Sequence, residues 1–209
     1  MTELAVIAFT TFFATIGPID IAVMFAAMTH GSSAADKKSM AIRGCLIATI
    51  ILVVFALSGK ILLISLGISY AALKMSGGIL LLLIGIDMVF ARDSGCTSTT
   101  DAENKEAIKK EDVSVFPLAT PLIAGPGSMG AVILLMTSHQ NDLQAQSIIM
   151  GAMFSVILIT LILLLLANKV QRILGVTGMH VVSRVFGVLL AALAVQFMFD
   201  GLRESGIFG

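Results

Sequence analysis

Six apolar stretches, each about twenty residues long and nearly free of charge, dominate the chain; they run Leu4–Thr29, Ala41–Ser58, Tyr70–Phe90, Val115–Thr137, Gln146–Ala167 and Val181–Leu202. A helix of about 20 apolar residues crosses the hydrocarbon core of a bilayer. None of the six alternates with period two, which excludes an outer-membrane barrel. The expected fold class is all-α: a polytopic membrane protein with six transmembrane helices. Composition removes the alternatives. Of 209 residues, 57% are hydrophobic and 12% charged, about half the charge of an ordinary soluble domain. A soluble fold would leave large exposed apolar patches. Low polarity excludes disorder, and two cysteines exclude a disulfide scaffold. Thirteen basic against thirteen acidic residues leave no basic excess, so nucleic acid is not an expected partner.

Basic residues orient the spans. Lys37, Lys38, Arg43, Arg92, Lys105, Lys109, Lys110, Lys169, Arg172 and Arg184 fall on one side, and Lys60, Lys74 and Arg203 on the other. The positive-inside rule places the first group in the cytoplasm and both termini outside it. The first stretch lacks a basic leader and a small-residue cleavage site, so it is expected to be retained. The stretch ILLISLG (61–67) is expected to form an interfacial turn after the second span. Residues 91–114 hold TSTTDAENKEAIKKED, the one strongly polar tract, expected to be a solvated cytoplasmic linker. Cys45 and Cys96 both lie on the cytoplasmic side, where thiols stay reduced, so no disulfide is expected. His30, His139 and His180 sit at segment ends without metal-ligand spacing. No phosphate-binding loop, nucleophile elbow or dinucleotide fingerprint occurs, which counts against an ATP-driven pump and a familiar hydrolase.

The chain also resembles itself at a spacing of about 108 residues. ATIGPIDIAVMFAAM (14–28) matches LIAGPGSMGAVILLM (122–136), which sets Gly17-Pro18 on Gly125-Pro126 and Asp20 on Ser128. SGKILLISLGIS (58–69) matches ANKVQRILGVTG (167–178), and GILLLLIGIDMVF (78–90) matches GVLLAALAVQFMF (187–199), one residue out of register, which sets Asp87 on Gln196. Each unit holds three spans, so the two units enter the membrane oppositely. The expected organisation is a 3+3 inverted-topology repeat: residues 1–90, a linker at 91–114, and residues 115–209. Such repeats are typical of secondary transporters.

The paired Gly-Pro steps break helices. Proline lacks an N–H and its ring clashes with the carbonyl four residues earlier. Helices 1 and 4 are expected to be broken there, and Pro117 and Pro121 weaken the latter further. Two half-helices starting at Gly17-Pro18 and Gly125-Pro126 would aim positive N-termini at the bilayer centre, which suits a carboxylate. The candidate substrate-binding residues are Gly17, Pro18, Asp20, Gly125, Pro126, Gly127 and Ser128. An intramembrane carboxylate is functional by default, so Asp20 and Asp87, with the neutral Gln196, are candidates for coupling. Coupling would use a proton or a sodium ion; no other cofactor and no metal site is expected. Gly77 and Gly78 in GGILLLLIG (77–85) mark close helix packing.

FPLATPLIAGPGSM (116–129) is similar to the P-L-x-x-P-x-x-x-G-P-G motif of the MarC family, and LGISYAALKMSGGILLLLIGIDM (66–88) resembles that family's third-helix block. The resemblance covers nearly the whole chain. It implies a six-span protein of the bacterial inner membrane, in a family also classed as neutral amino acid transporters. Where the family's first motif often has Asn-Pro, this chain has Gly17-Pro18 followed by Asp20, which removes an amide and adds an acid. The leading expectation is a secondary carrier of a small zwitterionic solute, glycine- or alanine-like, working by alternating access. The alternative is a membrane scaffold or regulator that moves nothing. An enzyme is not expected, because no nucleophile and base face each other at depth. The lipid bilayer is the first partner, and a homo-oligomer is compatible with the sequence.

Overall fold

The computed structural model describes residues 1–29, 32–90 and 112–206, with the backbone alone at 27, 60, 70, 168–180, 182 and 183. Its elements are α1 (Thr2–Ile16), α2 (Pro18–Met28), α3 (Ala34–Ser65), α4 (Tyr70–Phe90), an irregular segment Ser114–Ile123, α5 (Pro126–Ser138), α6 (Leu143–Leu165) and α7 (Ala167–Glu204). Among the described residues, five spans are long and apolar enough to cross a membrane, with α1 and α2 together as one of them, Thr2–Ala26. Ser114–Ile123 and α5, bent by 52° at their junction, supply a sixth. Successive spans alternate in direction. One face of the bundle carries Glu3, Ser138 and Glu204, here called the terminal face. The other carries Ser32 and Asp112, here called the loop face.

α3 shows how sequence becomes packing. Leu46, Ile50, Val54, Leu57 and Ile61 recur every three or four residues and are exposed, while Ala41, Cys45, Ala48, Leu52 and Ala56 form the buried stripe. On a soluble protein the first stripe would be a sticky patch; in a bilayer it faces lipid. Lipid removes the hydrophobic drive between helices, so small residues and close van der Waals contact hold the bundle. Gly44 lies under Leu118 and Gly59 under Ile133.

The α4–α7 pair is the most closely packed. A Cβ on Gly78 would stand 2.8 Å from the Ala194 carbonyl oxygen, and one on Gly85 2.9 Å from the Gly187 carbonyl oxygen and the Ala191 nitrogen. A Cβ on Gly187 would meet Gly85 and Val89, and one on Gly201 would stand 2.9 Å from the Ala71 carbonyl oxygen. The close packing expected at Gly77 and Gly78 is met at both, Gly78 on α7 and Gly77 under Leu134 of α5.

Three sequence expectations need correction. Residues 61–65 form no interfacial turn: α3 continues through them, to 32 residues, about 48 Å. Its end comes at Gly67, whose φ of +67° is left-handed. Ile68 N–H donates to the Leu63 carbonyl at 2.9 Å and Gly67 N–H to the Ile64 carbonyl at 3.1 Å, a Schellman stop that needs glycine. At the other end Ser33 caps the polar turn before Ala41, accepting the Asp36 N–H at 3.2 Å. Second, the apolar stretch Val181–Leu202 marks the membrane span, Arg184–Glu204, but not the start of its helix, which runs from Ala167, 38 residues in all. Third, the matched segments 58–69 and 167–178 are placed differently, the first ending a helix and the second beginning one. Cys45 is buried and free. Cys96, His30 and most of the 91–114 linker fall outside the described residues.

Candidate functional site

Both broken spans are broken where the Gly-Pro steps lie. At the first, Gly17 adopts φ +65°, ψ 57° and its N–H donates to the Phe13 carbonyl at 3.0 Å. That left-handed residue ends α1, and Pro18 starts α2, where a missing N–H costs nothing. At the second, Phe116 (φ −130°, ψ 124°) and Thr120 (φ −133°, ψ 131°) leave helical geometry ahead of Pro117 and Pro121. A proline's ring disfavours helical geometry in the residue before it, and both positions obey. The peptide bonds Phe116–Pro117 and Thr120–Pro121 are cis. Gly125 (φ −91°, ψ 174°) then caps α5, with Pro126 as its first residue. A Cβ on Gly125 would lie 2.3 Å from the Pro121 carbonyl oxygen, so only glycine fits there.

The residue three past each glycine folds back over the break. Ser128 Oγ accepts the Gly125 N–H at 3.0 Å, and its own proton is shared between the Ile123 carbonyl at 2.8 Å and the Gly125 carbonyl at 3.1 Å. Ser128 is fully buried. In the first half Asp20 takes the equivalent position: a Cβ on Gly17 would be 3.5 Å from Asp20 Oδ2. The two half-helix N-termini therefore differ in charge. That of α2 has an acid laid over it, and that of α5 has a neutral hydroxyl, with the first-turn N–H groups of Gly127 and Ser128 lacking helical acceptors.

The broken spans pack crosswise. α1 touches α5, and α2 touches Ser114–Ile123, so the breaks lie at one level. α2 has 11 residues and α5 has 13, about 16 and 20 Å at 1.5 Å per residue. Against a hydrocarbon core of about 30 Å, both breaks fall near mid-depth.

The predicted site residues are not all gathered. A small cavity of about 10 Å³ at the first break is lined by Phe13, Gly17, Pro18, Ile19, Asp20, Met88 and Phe186, room for one water at most. Gly125, Pro126, Gly127 and Ser128 are not among its walls. Asp87, half-buried near the loop-face end of α4, and Gln196, exposed toward the terminal face of α7, are set apart rather than brought together. Gln196 donates to Asp200 Oδ1 at 3.0 Å.

A larger cavity of about 400 Å³ opens at the terminal face, lined by Glu3, Lys74, Ser138, His139, Gln196 and Asp200 among others. Of these, sequence reading singled out Gln196 alone. Glu3, Lys74 and Asp200 lie near the ends of apolar stretches, where charge is ordinary, and no motif joins them. A polar pocket of about 530 Å³ at the loop face holds Asp36, Arg43 and Asp112. Arg43 and Asp112 pair there at 3.5 Å. Ser114 holds the Asp112 carboxyl below its usual range through side-chain and backbone hydrogen bonds; burial opposes this and Arg43 adds to it. Among the described residues, no group of three or more His, Cys, Asp or Glu is placed to hold a metal.

A family profile described as MarC family integral membrane protein matches residues 2–205. The UPF0056 membrane protein YvbG of Bacillus subtilis is 31% identical, covering 93% of this chain and 92% of its own length. A UPF0056 membrane protein of Methanocaldococcus jannaschii is 33% identical over 96% of both chains, and YhcE of Escherichia coli is 31% identical over 96% of this chain and 91% of its own. No solved structure matches.

Proposed function

We propose, for a chain that belongs to the MarC family of integral membrane proteins, the role of a secondary transporter of a small neutral amino acid, glycine- or alanine-like. The observation that carries this reading is the pair of half-helix N-termini at one level near mid-depth, one acidic and one neutral. The solute's carboxylate would take the N–H groups of Gly127 and Ser128, where helix polarity favours an anion. It would avoid α2, whose N-terminus already has Asp20 over it. Asp20 would then take the ammonium or a coupling proton or sodium ion, since an acid at this depth needs a cation or a proton. The cavity at the first break is too small for an amino acid, so binding there requires the walls to part.

Alternating access needs two related halves, and the α4–α7 contacts support an inverted repeat. Adding 109 to Gly78 gives Gly187; subtracting it from Ala194 and Met198 gives Gly85 and Val89. Gly78 packs on Ala194 and Met198, and Gly187 on Gly85 and Val89. Exchange of partners under one shift is what a two-fold axis between the halves produces. The positive-inside rule, applied to Lys37, Lys38 and Arg43, favours a cytoplasmic loop face in a bacterial inner membrane, with both termini outside.

The test is uptake of labelled glycine and L-alanine by protein in vesicles, with an imposed proton or sodium gradient. Uptake above protein-free vesicles is expected, and Asp20→Asn should stay folded and lose the gradient dependence. Absence of uptake for every neutral amino acid under both gradients would overturn the proposal.

A further inference from the structure

We take the helices in two groups, called bodies here, with α7 also packed on α1 and α2, and α4 on α5. α4 and α7 are held by Gly78, Gly85, Gly187 and Gly201, each with a partner backbone atom within 3 Å of where a Cβ would be. The second body contains α1, α2, α3, α5 and α6, with Gly44 under Leu118 and Gly59 under Ile133. Two cavities lie on the boundary between the bodies. The small one has Phe13 to Asp20 on one wall and Met88 and Phe186 on the other. The terminal-face cavity has Glu3, Ile7, Ser138 and His139 on one wall and Lys74, Leu193, Gln196 and Asp200 on the other.

The chemistry of the terminal-face cavity is mixed and specific. Lys74, whose side chain is only 13% exposed, is ion-paired with Glu204. An ammonium has three donors, so this pair leaves capacity on the cation. Asp200 is steadied by Gln196 at 3.0 Å, and Glu3 adds a second carboxylate to the walls. His139 Nδ1 lies 3.0 Å from the Leu135 carbonyl, so Nδ1 carries the proton and Nε2 remains for another group. The Ser138 hydroxyl is buried and has no hydrogen-bond partner among the described residues. A cation, two acids and spare hydrogen-bonding groups round one space of about 400 Å³ suit a ligand carrying both charges better than either ion alone.

We propose that this cavity is an outer binding site for a small zwitterion, from which the solute passes to the mid-membrane breaks along the boundary between the two bodies. The proposal rests on the transport reading above. Phe13 and Phe186, one from each body with ring centroids 4.4 Å apart, close that path. Phe13 is six positions from Ile7 and Leu193 seven from Phe186, about 9 and 10.5 Å along each helix. The outer site thus sits one closed layer above Asp20.

Ile7→Cys and Leu193→Cys, on opposite walls, test the site in a Cys96→Ser background in lipid nanodiscs. A charged maleimide reports their accessibility, and a lipid-facing Leu158→Cys is the control. Two positions keep the test alive if one variant misfolds. Saturating glycine or L-alanine should slow labelling of Ile7→Cys and Leu193→Cys about tenfold relative to equal acetate or ethylamine, and leave Leu158→Cys unchanged. Asp200→Asn should remove the protection. Unchanged labelling with both amino acids, or equal slowing by acetate or ethylamine, would overturn the site. Uptake by vesicles without protection would sink this site and leave the transport reading standing; protection without uptake would overturn the transport reading and the onward path with it, leaving only a zwitterion-binding cavity.

Discussion

Replacing Gly85 by alanine tests the two-body packing directly. The added methyl would stand 2.9 Å from the Gly187 carbonyl oxygen, 2.9 Å from the Ala191 nitrogen and 3.2 Å from the Ala191 Cα. All three are backbone atoms of α7, so no side chain can swing aside. Ordinary van der Waals contact for a Cβ begins at 3.4 Å, and the helices must separate by about half an ångström to restore it. Overpacking of this kind costs about 1–3 kcal/mol. Gly151→Ala on α6 supplies the opposite sign. Nothing lies within 4 Å of its Cβ position, and alanine is favoured over glycine inside a helix by about 0.5–1 kcal/mol. At roughly 2–4 °C per kcal/mol for a chain of this size, Gly85→Ala should lower Tm by about 2–12 °C and Gly151→Ala should raise it by about 1–4 °C. The assay is thermal unfolding of the Cys96→Ser protein with a thiol-reactive dye, which reports exposure of Cys45, 4% exposed in the folded state. A Gly85→Ala protein that melts at or above the parent would refute the reasoning, whatever Gly151→Ala does.

Ser128→Ala removes the acceptor for the Gly125 N–H at a fully buried site; leaving that donor unpaired should cost about 1–3 kcal/mol, read in the same melt. Gly125→Ala should be worse, with a poor yield of monodisperse protein, because a methyl 2.3 Å from a backbone carbonyl has nowhere to go. Ionised Asp112 favours the folded state, since its carboxyl is held below the usual value. That contribution is whole above a pH of about 4 and fades as pH falls through the lower folded-state value. Melting curves below pH about 4 should therefore fall less steeply for Asp112→Asn than for the parent, by a small margin because the group is half exposed. A reporter active only in the cytoplasm, fused after Gly209, should stay silent, and a strong signal would reverse the assigned orientation.

Local chemistry made much of this molecule legible in advance. The spans follow from unbroken apolar runs, because backbone at membrane depth must satisfy its own hydrogen bonds and a helix does so alone. The breaks at Gly17-Pro18 and Gly125-Pro126 follow from proline, whose missing N–H and ring clash act within four residues. What sequence missed is contact between distant segments. The second apolar stretch ends at Ser58 and the sixth begins at Val181, whereas their helices run on to a stop at Gly67 and back to a start at Ala167. Lys74 and Glu204 stand 130 positions apart, and no spacing rule joins them. Only the packing of α4 on α7, set by glycines whose partners lie on the other helix, brings that pair together and sets Lys74 and Asp200 on one cavity. The same holds for Asp20 and Ser128: sequence aligned them, but their shared habit of folding back over a glycine depends on three-dimensional backbone geometry at each break.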